Sequence, residues 1–215
     1  MPFSSVLGAS SVIKPGVCTS TTRPTVPYEG QLIYETDTDK LATYNGSAWS
    51  YVGGGGLVLI SSTTIQSGVN TFTVSSAFSS TYDNYKIMIS GGTSTVDGQL
   101  NLSLGATATG YYLGQHQINY SSGAHSINNR NNASSWLMAG DMTTTSLGMN
   151  VDLLGPNLAK KTYIFGANSQ ARTNQQGGYS SGFLDNTTQY TAFTVTTNDG
   201  TLTGGTCRVY GYANS

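Results

Sequence analysis

The chain has 215 residues and 22.5 kDa, of which only 9% are charged, nine Lys and Arg against ten Asp and Glu. Ser, Thr, Asn and Gly together make 100 of the 215 residues, while Glu occurs twice and Lys five times. That balance excludes a helical bundle, because the residues that favour helices are scarce and those that favour pleats and turns abound. Net charge −1 without a basic run leaves no electrostatic footprint for nucleic acid, and no apolar run approaches the length of a membrane span. The hydrophobic share, 37%, with 14 Tyr and 6 Phe, is enough for one core of roughly 150 residues and a smaller appendage.

In chain order, residues 1–22 read as an extended arm. They follow neither a period of 2 nor one of 3.6, Pro2 and Pro15 interrupt them, and they do not have the form of a secretion signal. Phe3, Val6, Leu7, Val12 and Ile13 are scattered along the arm, which cannot bury them against itself; they are candidates for anchoring to another chain. Residues 23–52 read as a small three-stranded meander, with strands over 31–36, 41–44 and 49–52. Asp37-Thr38-Asp39-Lys40 supplies the first turn and Asn45-Gly46 the second. Thirty residues in three short strands are marginal alone, so their apolar face needs another surface. Four glycines at 53–56 form a flexible linker and mark a domain boundary.

Residues 57–215 read as a succession of strands. Tyr85, Ile87 and Ile89 share one face, as do Leu100, Leu102 and Leu104, and further strands are expected over 57–61, 71–74, 111–120, 135–139, 147–154, 162–167, 179–184, 190–196 and 207–212. Asn128 to Asn132 and Gln175 to Gly178 read as turn clusters. The expected architecture is therefore all-β: a short three-stranded N-terminal module followed by an antiparallel, jelly-roll-like β-sandwich.

The chain is poor in catalytic groups. His116 and His125, nine residues apart, fit no metal-ligand spacing, and both Glu residues lie in the small module. Nucleophile-elbow and phosphate-loop patterns are absent, so no enzyme, cofactor or metal is expected. Two cysteines, Cys18 and Cys207, are too few for a disulfide framework. Tyr111, Tyr112, Trp136 and Tyr179, close to Asn-rich segments, are candidate glycan contacts, although Tyr is also the main core filler of this chain.

The small module carries a spaced motif: Arg23-Pro24, Pro27, Gly30, Tyr34, Asp37-Thr38, Leu41, Tyr44, Gly46 and Trp49, with Tyr28 inside it. This resembles a segment that recurs in structural proteins of tailed bacteriophages, and it covers about one seventh of the chain. The resemblance implies a virion protein, often trimeric, in which the motif precedes a β-rich distal domain. Three copies of a marginal meander can cover Tyr34, Leu41, Tyr44 and Trp49 around an axis, which supports a homotrimer on physical grounds as well. The order arm, module, sandwich, without a long shaft, suits a capsid decoration or cement protein. The arm would then grip the major capsid protein or another virion protein, with no nucleic acid and no membrane insertion involved. The alternative is a short tail fibre or tail-tip protein whose sandwich recognises a host-surface glycan.

Overall fold

The computed structural model describes residues 15–53, 56–172 and 175–214, so the arm residues Phe3, Val6, Leu7, Val12 and Ile13 lie outside the described residues. The chain divides into two compact units, residues 1–55 and 56–215.

The first unit is one sheet of four strands, β1 (Gly16–Cys18), β2 (Leu32–Glu35), β3 (Lys40–Tyr44) and β4 (Trp49–Tyr51), in that spatial order. The last three form the expected meander. Asn45 Oδ1 accepts the backbone N–H groups of Ser47 (3.0 Å) and Ala48 (2.8 Å), and Gly46 takes the φ of +90° that this turn requires. The fourth strand corrects the expected three: β1, in the segment read as arm, pairs in parallel with β2, Gly16 opposite Ile33 and Cys18 opposite Glu35. Three residues with Val17 largely exposed carry no periodicity to read. What holds them is specific bonding, with Thr36 N–H donating to Cys18 O (2.9 Å) and Asp37 accepting the N–H of Ser20 (2.9 Å) and its hydroxyl.

The second unit contains the remaining strands: β5 (Leu57–Thr64), β6 (Thr71–Val74), β7 (Asn84–Ser90), β8 (Thr93–Ser94), β9 (Gly98–Leu104), β10 (Tyr111–Asn119), β11 (His125–Ala133), β12 (Trp136–Met142), β13 (Leu147–Leu154), β14 (Thr162–Gln170), β15 (Gln176–Leu184), β16 (Phe193–Thr197), β17 (Leu202–Thr203) and β18 (Thr206–Tyr212). All ladders in this unit are antiparallel. One layer runs β5-β18-β7-β13-β14-β15-β10-β11 and the other β6-β16-β9-β12, while β8 and β17 pair separately. The layers join along β13. Its first half bonds β12, from Leu147–Met142 to Met149–Gly140, and its second half bonds β14, while β7 follows its other edge.

The core lies between the layers of this β-sandwich. Tyr85, Ile87, Ile89, Val151, Leu153, Tyr111 and Leu113 face Leu100, Leu102, Leu104, Trp136, Phe193 and Val195, all buried at every second residue of their strands. Tyr111 and Trp136 meet edge to face, 5.0 Å apart at 87°. At β12 the ladder to β9 slips between Trp136 and Gly140; Met138 sits at φ +58°, its N–H bound by the buried Asn101 side chain (3.0 Å).

Two expected turns are strand. Asn128 to Asn132 belongs to the edge strand β11, and Gln176 to Gly178 opens β15. Asn favours turns locally, but ladder pairing with β10 outweighs that preference: β15 makes nine consecutive pairs, and β11 pairs from His125 to Arg130 before its register shifts at Asn131 and Asn132. Conversely, Tyr190 precedes its strand, which starts at Phe193. Its hydroxyl binds Thr107 and Asn186 in a loop.

Candidate functional site

The outward face of the longer layer carries three cross-strand rows, fixed by register. Tyr163, Phe183 and Tyr112 stand side by side on β14, β15 and β10; the next row is Phe165, Ser181 and Gly114, and the third Ala167, Tyr179 and His116. Small residues at Ser181 and Gly114 leave a hollow beside the first aromatic row. It is a groove of about 410 Å³, closed by Phe165 at the β14 end and by Arg130 at the β11 end.

Tyr112 and Phe183 are stacked, 4.8 Å apart at 9°, and Tyr163 lies 6.4 Å from Phe183. Tyr163 and Phe165 remain 46% and 44% exposed, so aromatic surface is available to a ligand rather than consumed in the core. Lys161 Nζ sits 5.4 Å above the Phe183 ring and 2.6 Å from Asp185, whose carboxylate raises the lysine above its ordinary value. Arg130 is half-buried. It donates from Nη1 to the Asn129 carbonyl (2.7 Å) and has no ion pair among the described residues.

The scaffold under the groove depends on glycine. A Cβ at Gly182 would overlap the Tyr112 carbonyl oxygen, and one at Gly178 that of His116, so β15 approaches β10 as only glycine allows. Gly182→Ala is expected to destabilise the sandwich by about 1–3 kcal/mol through overpacking, measured as a lowered urea midpoint with unchanged slope.

The four candidate glycan contacts divide by strand parity. Tyr112 and Tyr179 point outward, the latter 63% exposed. Tyr111 and Trp136 are corrected: both are fully buried, and no ligand reaches them. Burial pushes the Tyr111 hydroxyl up to about 12, and it accepts the Leu104 N–H (2.8 Å), a core role. Tyr163, Phe165, Phe183 and Arg130 were missed. The signal for the first two was the alternation Tyr163-Ile164-Phe165 within a strand that was expected; only Ile164 turns inward.

The other polar clusters are of different kinds. His116 Nε2 lies 3.0 Å from His125 Nδ1 on the exposed β10–β11 hairpin. Where β12 and β14 part from β13, a second cavity of about 410 Å³ has the buried Asp141 in its wall. Arg172 Nε stands 2.7 Å from Asp141 Oδ1 without hydrogen-bond alignment, and burial outweighs this neighbour, raising the carboxyl above its ordinary value. Among the described residues no group of three His, Cys, Asp or Glu could hold a metal. Cys18 and Cys207 are free thiols, and burial pushes Cys207 up to about 12.

In the first unit the motif residues organise the fold. Arg23 Nε pairs with the fully buried Glu35 carboxylate, which also accepts the hydroxyls of Thr38 (3.0 Å) and Tyr51 (2.9 Å). These donors hold Glu35 below its ordinary value, Arg23 foremost. Tyr34 donates to Asp39 (2.8 Å), and Tyr44 packs on Trp49 at 5.4 Å. Pro24, Pro27 and Leu41 are half-buried, whereas Tyr28 and Gly30 are exposed. Tyr34, Leu41, Tyr44 and Trp49 are thus already half covered within one copy. The apolar residues left most exposed are Val17, Val26, Tyr28 and Val52, with Leu32 and Tyr51 less so. Protein-family models, curated proteins and solved structures were all compared with the chain, and none matches.

Proposed function

We propose that this chain is a non-enzymatic structural protein of a tailed-bacteriophage virion. It acts as a trimeric capsid decoration protein, held to the major capsid protein or another virion protein through its arm and small module, with the sandwich presented to the medium. The observation that carries this reading is the imbalance of the first unit. Its buried apolar residues among those described are Ile33 and Ala42, while Val17, Val26, Tyr28 and Val52 are 53–90% exposed. A sheet this small gains little from its own core and is stabilised by contact with other chains. Three arms acting together would also give avidity without tight individual contacts. The motif Arg23-Pro24 to Trp49 supplies the virion assignment by resemblance.

The test is immunogold labelling of intact virions with an antibody against residues 57–215, together with light scattering of the purified full chain. Label over the head and a trimeric mass are expected, and deletion of residues 1–14, which keeps β1 and the Ser20–Asp37 bonds, abolishes incorporation into capsids. Label confined to the tail tip overturns the head assignment, and a monomer at micromolar concentration overturns the trimer.

A further inference from the structure

We infer that the groove between Phe165 and Arg130 on the outward face of the sandwich binds a carbohydrate chain carrying a carboxylate, such as a uronic or sialic acid residue. The groove crosses β14, β15, β10 and β11. Three strand spacings make it about 14 Å long, the reach of a short oligosaccharide rather than of a single small molecule. Its length runs parallel to the aromatic row Tyr163–Phe183–Tyr112, and its floor is the small pair Ser181 and Gly114.

Three features select this ligand class. Sugar rings offer flat C–H faces edged by hydroxyls, and this groove sets half-exposed aromatic rings beside a serine hydroxyl and strand backbone. The stacked pair Tyr112–Phe183 is fixed before any ligand arrives, which lowers the ordering cost of binding. At one end the groove is lined by Arg130, which spends an Nη1 donor on the Asn129 carbonyl and has no carboxylate partner among the described residues, so its charge suits a ligand carboxylate. Lys161, beyond the aromatic row, is by contrast occupied by Asp185. A nucleic acid would need a track of cations along the backbone, and one unpaired guanidinium does not make one. An apolar segment of a second chain would leave Arg130 desolvated and unpaired, at a cost that a carboxylate-bearing glycan avoids.

The experiment applies the full-length protein to a panel of immobilised oligosaccharides containing neutral, amino, uronic acid and sialic acid sugars. Retention is expected on acidic members, weakening as salt rises from 50 to 500 mM. Arg130→Ala should lower affinity for them at least tenfold, and so should Phe165→Ala, which removes a half-exposed ring without opening the core. Val96→Ala, at an exposed bend between β8 and β9 and outside the groove, serves as the control and should bind as the parent does. Unchanged melting profiles establish that each variant is folded. The inference is overturned if no member is retained at millimolar concentration, if only neutral sugars are retained, or if folded Arg130→Ala and Phe165→Ala bind undiminished. It is overturned equally if Phe165→Ala changes the oligomeric mass, which would make the groove a contact between copies of the chain. None of these outcomes depends on where in a virion the protein resides.

Discussion

Replacing Trp136 by Ala is expected to cost the sandwich about 3–5 kcal/mol, the usual penalty for removing a large buried aromatic. Trp136 has no exposed surface, meets Tyr111 edge to face and closes the β12 side of the core near Leu102, its register partner on β9. Truncation therefore removes contacts from both layers and leaves a void that rigid strands cannot close. Trp136→Phe separates volume from polarity. The indole Nε1 of Trp136 is buried without a hydrogen-bond partner, so phenylalanine removes an unsatisfied donor while keeping most of the ring. Its cost should stay below about 2 kcal/mol, since the lost volume and the relieved donor act in opposite directions. Urea unfolding followed by far-UV circular dichroism reads both values. Equal losses for the two variants would overturn the cavity argument, since phenylalanine keeps most of the ring volume that alanine removes.

Much of the sandwich is legible in the sequence because burial on one face forces alternation. Tyr85-Ile87-Ile89 and Leu100-Leu102-Leu104 point inward as their spacing requires. Strand β11 is not legible: at an edge, with Ile127 80% exposed and polar residues on both faces, it carries no alternation, and Asn composition reads as a turn. Nor is the Met138 kink, since a left-handed methionine is set by the Asn101 side chain from another strand.

The groove failed to appear for a related reason. Its wall is a row formed by register across three strands, with Tyr112 and Phe183 lying 71 residues apart in sequence, and sequence reveals strands more readily than their register. Within one strand, parity alone divides Tyr111 from Tyr112: neighbours in sequence, one is core and the other groove wall. The motif in the first unit shows the opposite case. There the contacts are local, so fixed spacing is the direct record of a fold in which Arg23 reaches Glu35 and Tyr44 packs on Trp49. Glu35 itself, the buried centre of that unit, was not singled out. Its importance comes from three donors that converge only after folding.

That convergence makes the first unit acid-sensitive in a way the sandwich is not. Glu35 is held below its ordinary value chiefly by Arg23, and Asp37 is lowered chiefly by Ser20, so both favour the folded state when ionised. The stability they confer is present above the unfolded carboxylate range and is lost as pH falls through their lowered folded values, that is, from about pH 4 downward. Asp141 in the sandwich has the opposite sign. Burial raises it, so its contribution to stability declines as pH rises from the ordinary carboxylate range to its raised value, and acid relieves the strain of burying its charge. Trp49 and Trp136 are the two tryptophans, one in each unit, and in a Trp136→Phe background Trp49 fluorescence follows the first unit alone. Acid titration of that protein should show Trp49 losing its native environment below about pH 4 while the sandwich dichroism persists. Adding Glu35→Gln keeps the size of the side chain but removes the charge that Arg23 requires. The unit should then be less stable at neutral pH and its remaining stability should fall less steeply in acid. An acid midpoint and slope identical with and without Glu35→Gln would show that the Arg23–Glu35 pair does not hold this sheet together.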